Sequence, residues 1–73
     1  ANLPRVTIER DVTIRLKFWV LADGSVGDIV PLQRGDVRLE RAAIEYLKGW
    51  RFTPAAPGSP MVWGIIPITY KLQ

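Results

Sequence analysis

The sequence predicts a small α+β domain, a three-stranded antiparallel sheet of order 2-1-3 with one helix packed on one face (ββαβ), from three observations. Apolar and polar side chains alternate over 12–21, and Asp23-Gly24 follows as a hairpin turn signal. Apolar residues recur at helical spacing over 36–48, and a second alternating run covers 61–72. A right-handed crossover through the helix returns the last strand beside the first.

Composition narrows the function classes. The chain has 73 residues, a net charge of +3, and neither cysteine nor histidine. Thiol chemistry and cysteine metal sites are therefore excluded, and the commonest general base is missing. The carboxylates have no obvious catalytic partners, so we expect a non-enzyme without metal or cofactor. The basic residues are scattered, and no apolar run reaches the roughly 18 residues that span a membrane.

The N-terminal half divides into a lead-in and a hairpin. Residues 1–11 read as an extended lead-in or the remnant of a linker, and 12–73 as the domain. The first strand directs its even-numbered side chains, Val12 to Val20, to the core. The returning strand, 26–33, alternates poorly and contains Pro31, which favours a bulge or an edge position.

The helix has recognisable ends and a buried stripe. Asp36 is the predicted N-cap, and Gly49 occupies the position where a left-handed C′ residue is common. Glu40 falls on the side expected to face solvent. The predicted stripe consists of Leu39, Ala43, Leu47 and Trp50.

The segment Trp50-Arg51-Phe52 predicts a closure at the end of the helix. Trp50 continues the buried stripe, Phe52 reaches the same core from an extended segment, and Pro54 prevents further helix. Arg51 must then point outward, where we expect it to pair with a surface carboxylate or to contact a ligand chain.

The last strand has two faces. Its even-numbered residues, which end with Tyr70 and Leu72, face the core. Trp63 and Ile65 share the opposite face with Trp19 of the first strand, which predicts an apolar patch. Two interpretations remain open: a partner surface, or a face covered by Val6 and Ile8 of the lead-in.

The ordered set of motifs resembles the C-terminal domain of TonB-family energy transducers, over about 12–72. Glu40 stands where the family usually has Asp. The matching positions are Asp23-Gly24, Val26, Leu39-Glu40, Ala42-Ala43, Trp50-Arg51-Phe52, Pro54-Ala55, Gly58, Pro60, Pro67 and Tyr70.

The resemblance implies the periplasmic, soluble part of an inner-membrane-anchored protein that couples a proton-driven motor complex to outer-membrane transporters, including those for siderophore uptake. Such a domain grips a transporter segment, the TonB box, as an added strand beside its last strand. Pro67 has no N–H and should face the free edge. Residues of the same parity would then bond the incoming strand. The predicted partner-strand residues are Met61, Trp63, Ile65, Pro67 and Thr69, with Trp19 and Arg51 as further contacts.

Three alternatives stay open at this point. The same fold occurs in TolA-like proteins and other envelope interaction modules, which bind different partners. A basic and aromatic face of Arg15, Lys17, Trp19 and Trp63 would suit nucleic acid, although we do not expect that partner. An open edge strand also permits a homodimer.

Overall fold

The computed structural model describes residues 10–33 and 35–71. Its elements are β1 (Val12–Val20), β2 (Val26–Pro31), α1 (Val37–Lys48) and β3 (Val62–Tyr70). The strands form one antiparallel sheet in the order β2-β1-β3. This confirms the predicted α+β fold and its strand order. Most of the lead-in predicted for 1–11, and Leu72, lie outside the described residues.

A tight turn joins β1 to β2. The Leu21 N–H donates to the Ser25 carbonyl at 2.8 Å, and the Gly24 N–H donates to the Leu21 carbonyl at 2.9 Å. Gly24 has a φ of 88°, which suits glycine because it has no Cβ to clash. The Asp23 carboxylate accepts from the Ser25 hydroxyl at 2.5 Å and its N–H at 2.9 Å. These bonds to Ser25 lower the pKa of Asp23.

Strand β2 contains the predicted irregularity. Phe18 lies opposite Ile29 and Val20 opposite Val26, so Gly27 and Asp28 together face the single residue Trp19 of β1. This is a β-bulge, which bends the strand and interrupts its ladder.

Helix α1 begins at the predicted cap. The Asp36 carboxylate accepts from the backbone N–H groups of Arg38 at 2.8 Å and Leu39 at 3.4 Å, which satisfies donors that lack helical partners. Bonds to Arg38, first from its side chain, lower the pKa of Asp36. Leu39, Ala43 and Leu47 are fully buried against the sheet.

The prediction for Glu40 was wrong. The residue is only 5% exposed, although its position on the helix suggested a solvated side chain. Its carboxylate turns back along the chain and accepts from the Gly35 N–H at 2.6 Å. A buried carboxylate needs such donors, so Glu40 fixes the chain that leads into the helix.

The prediction for Gly49 was also wrong, because its φ is −82° and its ψ is −6°, in the right-handed region. The helix closes with short bonds instead: the Gly49 N–H donates to the Tyr46 carbonyl at 3.3 Å, and the Trp50 N–H to the Leu47 carbonyl at 3.0 Å. This tighter last turn keeps Trp50 on the helix stripe and makes a left-handed residue unnecessary.

The segment after the helix is tied to the β1–β2 turn. The Phe52 N–H donates to the Gly24 carbonyl at 2.7 Å, and the Ala55 N–H donates to the Ala22 carbonyl at 3.0 Å. The Phe52 ring stacks on Phe18, with centroids 5.8 Å apart. The segment therefore closes one end of the core, and both Trp50 and Phe52 are half-buried there.

The core lies chiefly between α1 and the two strands β1 and β2. Ile14, Leu16 and Phe18 of β1 are buried, and they pack against the helix stripe. No residue of β3 is fully buried. Val62 is on the helix side of the sheet but is 56% exposed, so the prediction that every even-numbered residue of β3 meets the helix does not hold at this end.

Candidate functional site

Strand β3 pairs with β1 along its whole length. The nine opposed residue pairs run without a shift from Val12 with Tyr70 to Val20 with Val62. Within the described residues, no strand pairs with the other side of β3. That side is a long and regular sheet edge, with backbone groups available to another strand.

The hydrogen bonds of β1 determine which residues of β3 face that edge. The Leu32 N–H donates to the Arg15 carbonyl at 2.9 Å, and Leu21 bonds Ser25, so odd-numbered residues of this strand direct their backbone groups toward β2. Its even-numbered residues therefore bond β3, because neighbouring residues point to opposite sides. Arg15 lies opposite Pro67 and Trp19 opposite Trp63. The odd-numbered residues of β3 consequently direct their N–H and C=O groups away from β1.

The free edge thus has a defined set of donors and acceptors. Within β3 the N–H groups of Trp63, Ile65 and Thr69 point outward, together with their carbonyls. Pro67 contributes a carbonyl only, and its missing N–H costs the β1–β3 ladder nothing because it faces the free side. Met61 has the same parity but lies one residue before β3, and it is 65% exposed.

Two indole rings and an ammonium group form the outer face beside the edge. Trp19 and Trp63 lie directly opposite each other, as do Lys17 and Ile65. The Lys17 Nζ lies 4.5 Å from the centre of the Trp63 ring and 5.0 Å from that of Trp19. Both distances are within the range of cation–π attraction. Trp63 and Ile65 are 56% and 51% exposed, although both are large and apolar.

The C-terminal end of β3 is held by side chains. The Thr13 and Thr69 hydroxyls are hydrogen-bonded at 3.0 Å, and the Lys71 ammonium lies 3.5 Å from the Asp11 carboxylate. The Tyr70 hydroxyl donates to the Leu39 carbonyl at 3.2 Å, and burial raises the pKa of Tyr70. The exposed apolar residues of this strand are concentrated at its other end, toward Met61.

Arg51 contacts the end of α1. Its Nη1 donates to the carbonyl of Trp50 at 2.9 Å and to that of Lys48 at 3.3 Å, so the guanidinium satisfies acceptors at the end of α1. Its backbone forms an isolated bridge with Ser25. The structure thus places Arg51 at the helix end and the β1–β2 turn, and Trp19 on the outer face of the sheet.

The alternation of β1 predicted that Lys17 lies on the outer face, but Lys17 was not among the residues predicted to bind a strand. Its position two residues before Trp19 gave the face, but its contact with Trp63 depends on the register between β1 and β3. In the part of the chain that the structure describes, no cluster of three or more acidic residues could hold a metal ion. None of the described helices is long and apolar enough to cross a membrane.

Comparison with known proteins identifies the family. Residues 7–72 match the family model described as "Gram-negative bacterial TonB protein C-terminal". Protein tonB2 of Pseudomonas aeruginosa is 38% identical over 64 residues, which cover 84% of this chain and 24% of that relative. No solved structure matches the chain. With most of its length matched by the family model, this chain belongs to the TonB family as a C-terminal domain.

Proposed function

We propose that this domain binds the TonB box of outer-membrane transporters by adding it to the sheet as a fourth strand beside β3. The observation that carries this proposal is the direction of the backbone groups of Trp63, Ile65, Pro67 and Thr69 toward the unpaired side. In strand addition the main chain supplies most of the affinity, and alternate side chains supply specificity. Family membership supports a transporter segment as the added strand.

The geometry favours β3 over β2, the other edge. Strand β2 has six residues against nine in β3, and the Gly27–Asp28 bulge interrupts it. Pro31 lies opposite Leu16, whose backbone groups face β3, so this proline directs its own backbone to the outer side of β2. Both edges thus have an outward proline, and the difference between them is the length and the bulge: a short, bulged strand offers few consecutive bonds to a partner.

The wider role follows from the same proposal. The chain spans 24% of the tonB2 relative, so the partners of a whole protein are inferred from the family. We infer that the domain acts in the periplasm of a protein anchored in the inner membrane. There it transmits the energy of a proton-driven motor complex to transporters, including those for siderophore uptake. It does so as a binding module and not as an enzyme.

Two other partner classes make different predictions. A TolA-like role keeps the same edge but replaces the TonB box with another envelope protein. Nucleic acid is suggested by the grouping of Lys17 with two indole rings, of which that of Trp63 is exposed. Its affinity would fall steeply with salt because phosphate contacts release counterions, whereas a strand ladder depends little on ionic strength.

The decisive experiment removes one edge N–H and leaves the β1–β3 ladder intact. In the Ile65→Pro variant the lost N–H faces the free edge, whereas Ile65→Thr loses the apolar side chain and keeps that N–H. We expect Ile65→Pro to lower the affinity for a TonB-box peptide about tenfold or more, because one hydrogen bond is lost and the proline ring occupies the path of the added strand. Ile65→Thr should change affinity about threefold or less. Backbone amide spectra establish that both variants are folded.

Hydrogen exchange in the unmodified domain provides a second readout that needs no variant. The amides of Trp63, Ile65 and Thr69 should exchange fast in the free domain and slowly with peptide bound. Those of Gly64 and Ile66, which bond β1, should be protected in both states. Equal peptide affinity in Ile65→Pro, or unchanged exchange at the three edge amides, would remove strand addition at β3 from consideration.

A further inference from the structure

The ammonium of Lys17 occupies a special place on the outer face. None of the ion pairs formed between described residues includes it. It lies instead against the rings of Trp19 and Trp63. The rings attract the charge weakly and cover part of it. Lys17 is therefore a half-buried cation without a carboxylate partner among the described residues.

The register places this cation close to the proposed binding edge. Lys17 lies directly opposite Ile65, and its Nζ is nearer to the ring of Trp63 than to that of Trp19. The ammonium is thus in contact with a side chain of β3 itself. A fourth strand would lie about 4.8 Å beyond β3. An outward side chain of that strand beside Trp63 or Ile65 would be within reach of the ammonium if it has the length of glutamate.

The opposite face of the same edge is apolar along β3. There the incoming strand would meet the helix-side residues of β3, among them Ile66 and Ile68, which are half-buried and pack against the core. An acidic side chain packed against these apolar residues would lose water. The two faces of the edge therefore select opposite kinds of side chain.

We propose that the segment bound at β3 carries an acidic side chain on the outer face of the extended sheet, beside Trp63 and Ile65, and that its carboxylate pairs with Lys17. This inference rests on the proposed strand addition and deepens it by naming the chemistry of the partner. The indole rings orient the ammonium before binding, so less side-chain entropy is lost when the pair forms. The acid also fixes which face of the segment turns outward and limits the register of the added strand.

A glutamate scan of the peptide tests this pairing. The probe is a nine-residue TonB-box peptide from a transporter of the same bacterium, matched to the length of β3. Each position is replaced in turn by glutamate and by glutamine. Dissociation constants are measured by calorimetry for the domain and for its Lys17→Gln and Arg41→Gln variants. Arg41 is an exposed cation on α1, on the other side of the sheet, and its variant controls for net charge.

We expect glutamate to be preferred over glutamine by about two- to fivefold at an outward position, the effect of a partly exposed ion pair. The preference should disappear in Lys17→Gln, persist in Arg41→Gln, and shrink between about 50 mM and about 500 mM salt. In Lys17→Glu the same position should prefer lysine.

The outcomes separate this inference from the function on which it rests. If the unmodified peptide shifts the amide signals of Trp63, Ile65 and Thr69 but no position prefers glutamate, strand addition stands and the acidic pairing is wrong. A preference that survives in Lys17→Gln also contradicts the pairing. If Lys17→Gln weakens the glutamate and glutamine peptides equally, Lys17 only supports the indole rings. If the peptide shifts no edge signal, both proposals fail.

Discussion

Two positions occupied by glycine differ in whether the fold needs a glycine there. Gly24 has a φ of 88°, and a Cβ built on it would lie 2.0 Å from the carbonyl oxygen of Phe52. Gly49 has a φ of −82°, and its built Cβ would meet only the Tyr46 carbonyl oxygen, at an ordinary 3.6 Å. The first position needs glycine for conformation and for space. The second needs it for neither, despite its place at the end of a helix.

We predict opposite effects of alanine at these two sites. Gly24→Ala should lower the free energy of unfolding by more than the roughly 1–2 kcal/mol of a left-handed alanine, because the Phe52 backbone must also move. Gly49→Ala should raise it by about 0.4–1 kcal/mol, because the unfolded chain loses freedom. Urea unfolding curves of both variants measure the two effects. A loss of stability in Gly49→Ala would show that the last helical turn needs glycine after all.

At the scale of elements, the start of α1 depends on Glu40 as well as on its N-cap. This buried carboxylate bonds the Gly35 N–H, one residue before the cap, and so sets the path of the chain into the helix. Glu40→Ala should cost about 1–3 kcal/mol of stability, because it removes a hydrogen bond to a buried charged group. Glu40→Gln keeps an acceptor and should cost less.

The control for this prediction is the exposed Glu45, which pairs with Lys48 at 3.3 Å on the helix surface. Glu45→Ala should change the free energy of unfolding by no more than about 0.5 kcal/mol. If Glu40→Ala behaves like Glu45→Ala in urea unfolding, the bond to Gly35 contributes nothing to the fold.

Sequence patterns predict elements well where their causes are local. The alternation of β1, the Asp23-Gly24 turn and the Asp36 cap each depend on a few neighbouring residues, and all three were confirmed. The burial of Glu40 could not be read from helical spacing, because it depends on how the preceding loop approaches the helix. The prediction for Gly49 failed because the last turn of the helix closes with short bonds to the Tyr46 and Leu47 carbonyls, which the presence of a glycine does not reveal.

In the candidate site, too, local patterns predicted some features, whereas others depend on contacts between residues distant in sequence. Strand periodicity assigned Trp63, Ile65, Pro67 and Thr69 to one parity, and the observed register directs that parity to the free edge. The contact of Lys17 with two indole rings needed the pairing of strands distant in sequence. Its role as a receptor for an acidic side chain stays a prediction.

For the whole molecule, the proposed strand addition requires the free edge of β3 to accept a partner strand more readily than a copy of the domain. Pro67 limits this risk, because a strand laid along the edge finds one donor missing. Its ring also fixes φ and adds rigidity. We therefore expect Pro67 to lower the affinity of the edge for a partner strand and to limit its pairing with other strands.

Replacing Pro67 by threonine should strengthen strand pairing of every kind. The new N–H of Pro67→Thr faces the free edge, so the β1–β3 ladder is unchanged and stability should fall by only about 0.4–1 kcal/mol. One added bond is worth about 0.5–1.5 kcal/mol, so a TonB-box peptide should bind about two- to tenfold tighter. Sedimentation should also show more self-association. Pro31→Thr, on the short and bulged edge of β2, is the matched control and should change neither quantity. Unchanged affinity and unchanged self-association in Pro67→Thr would mean that incoming strands do not use this part of the edge.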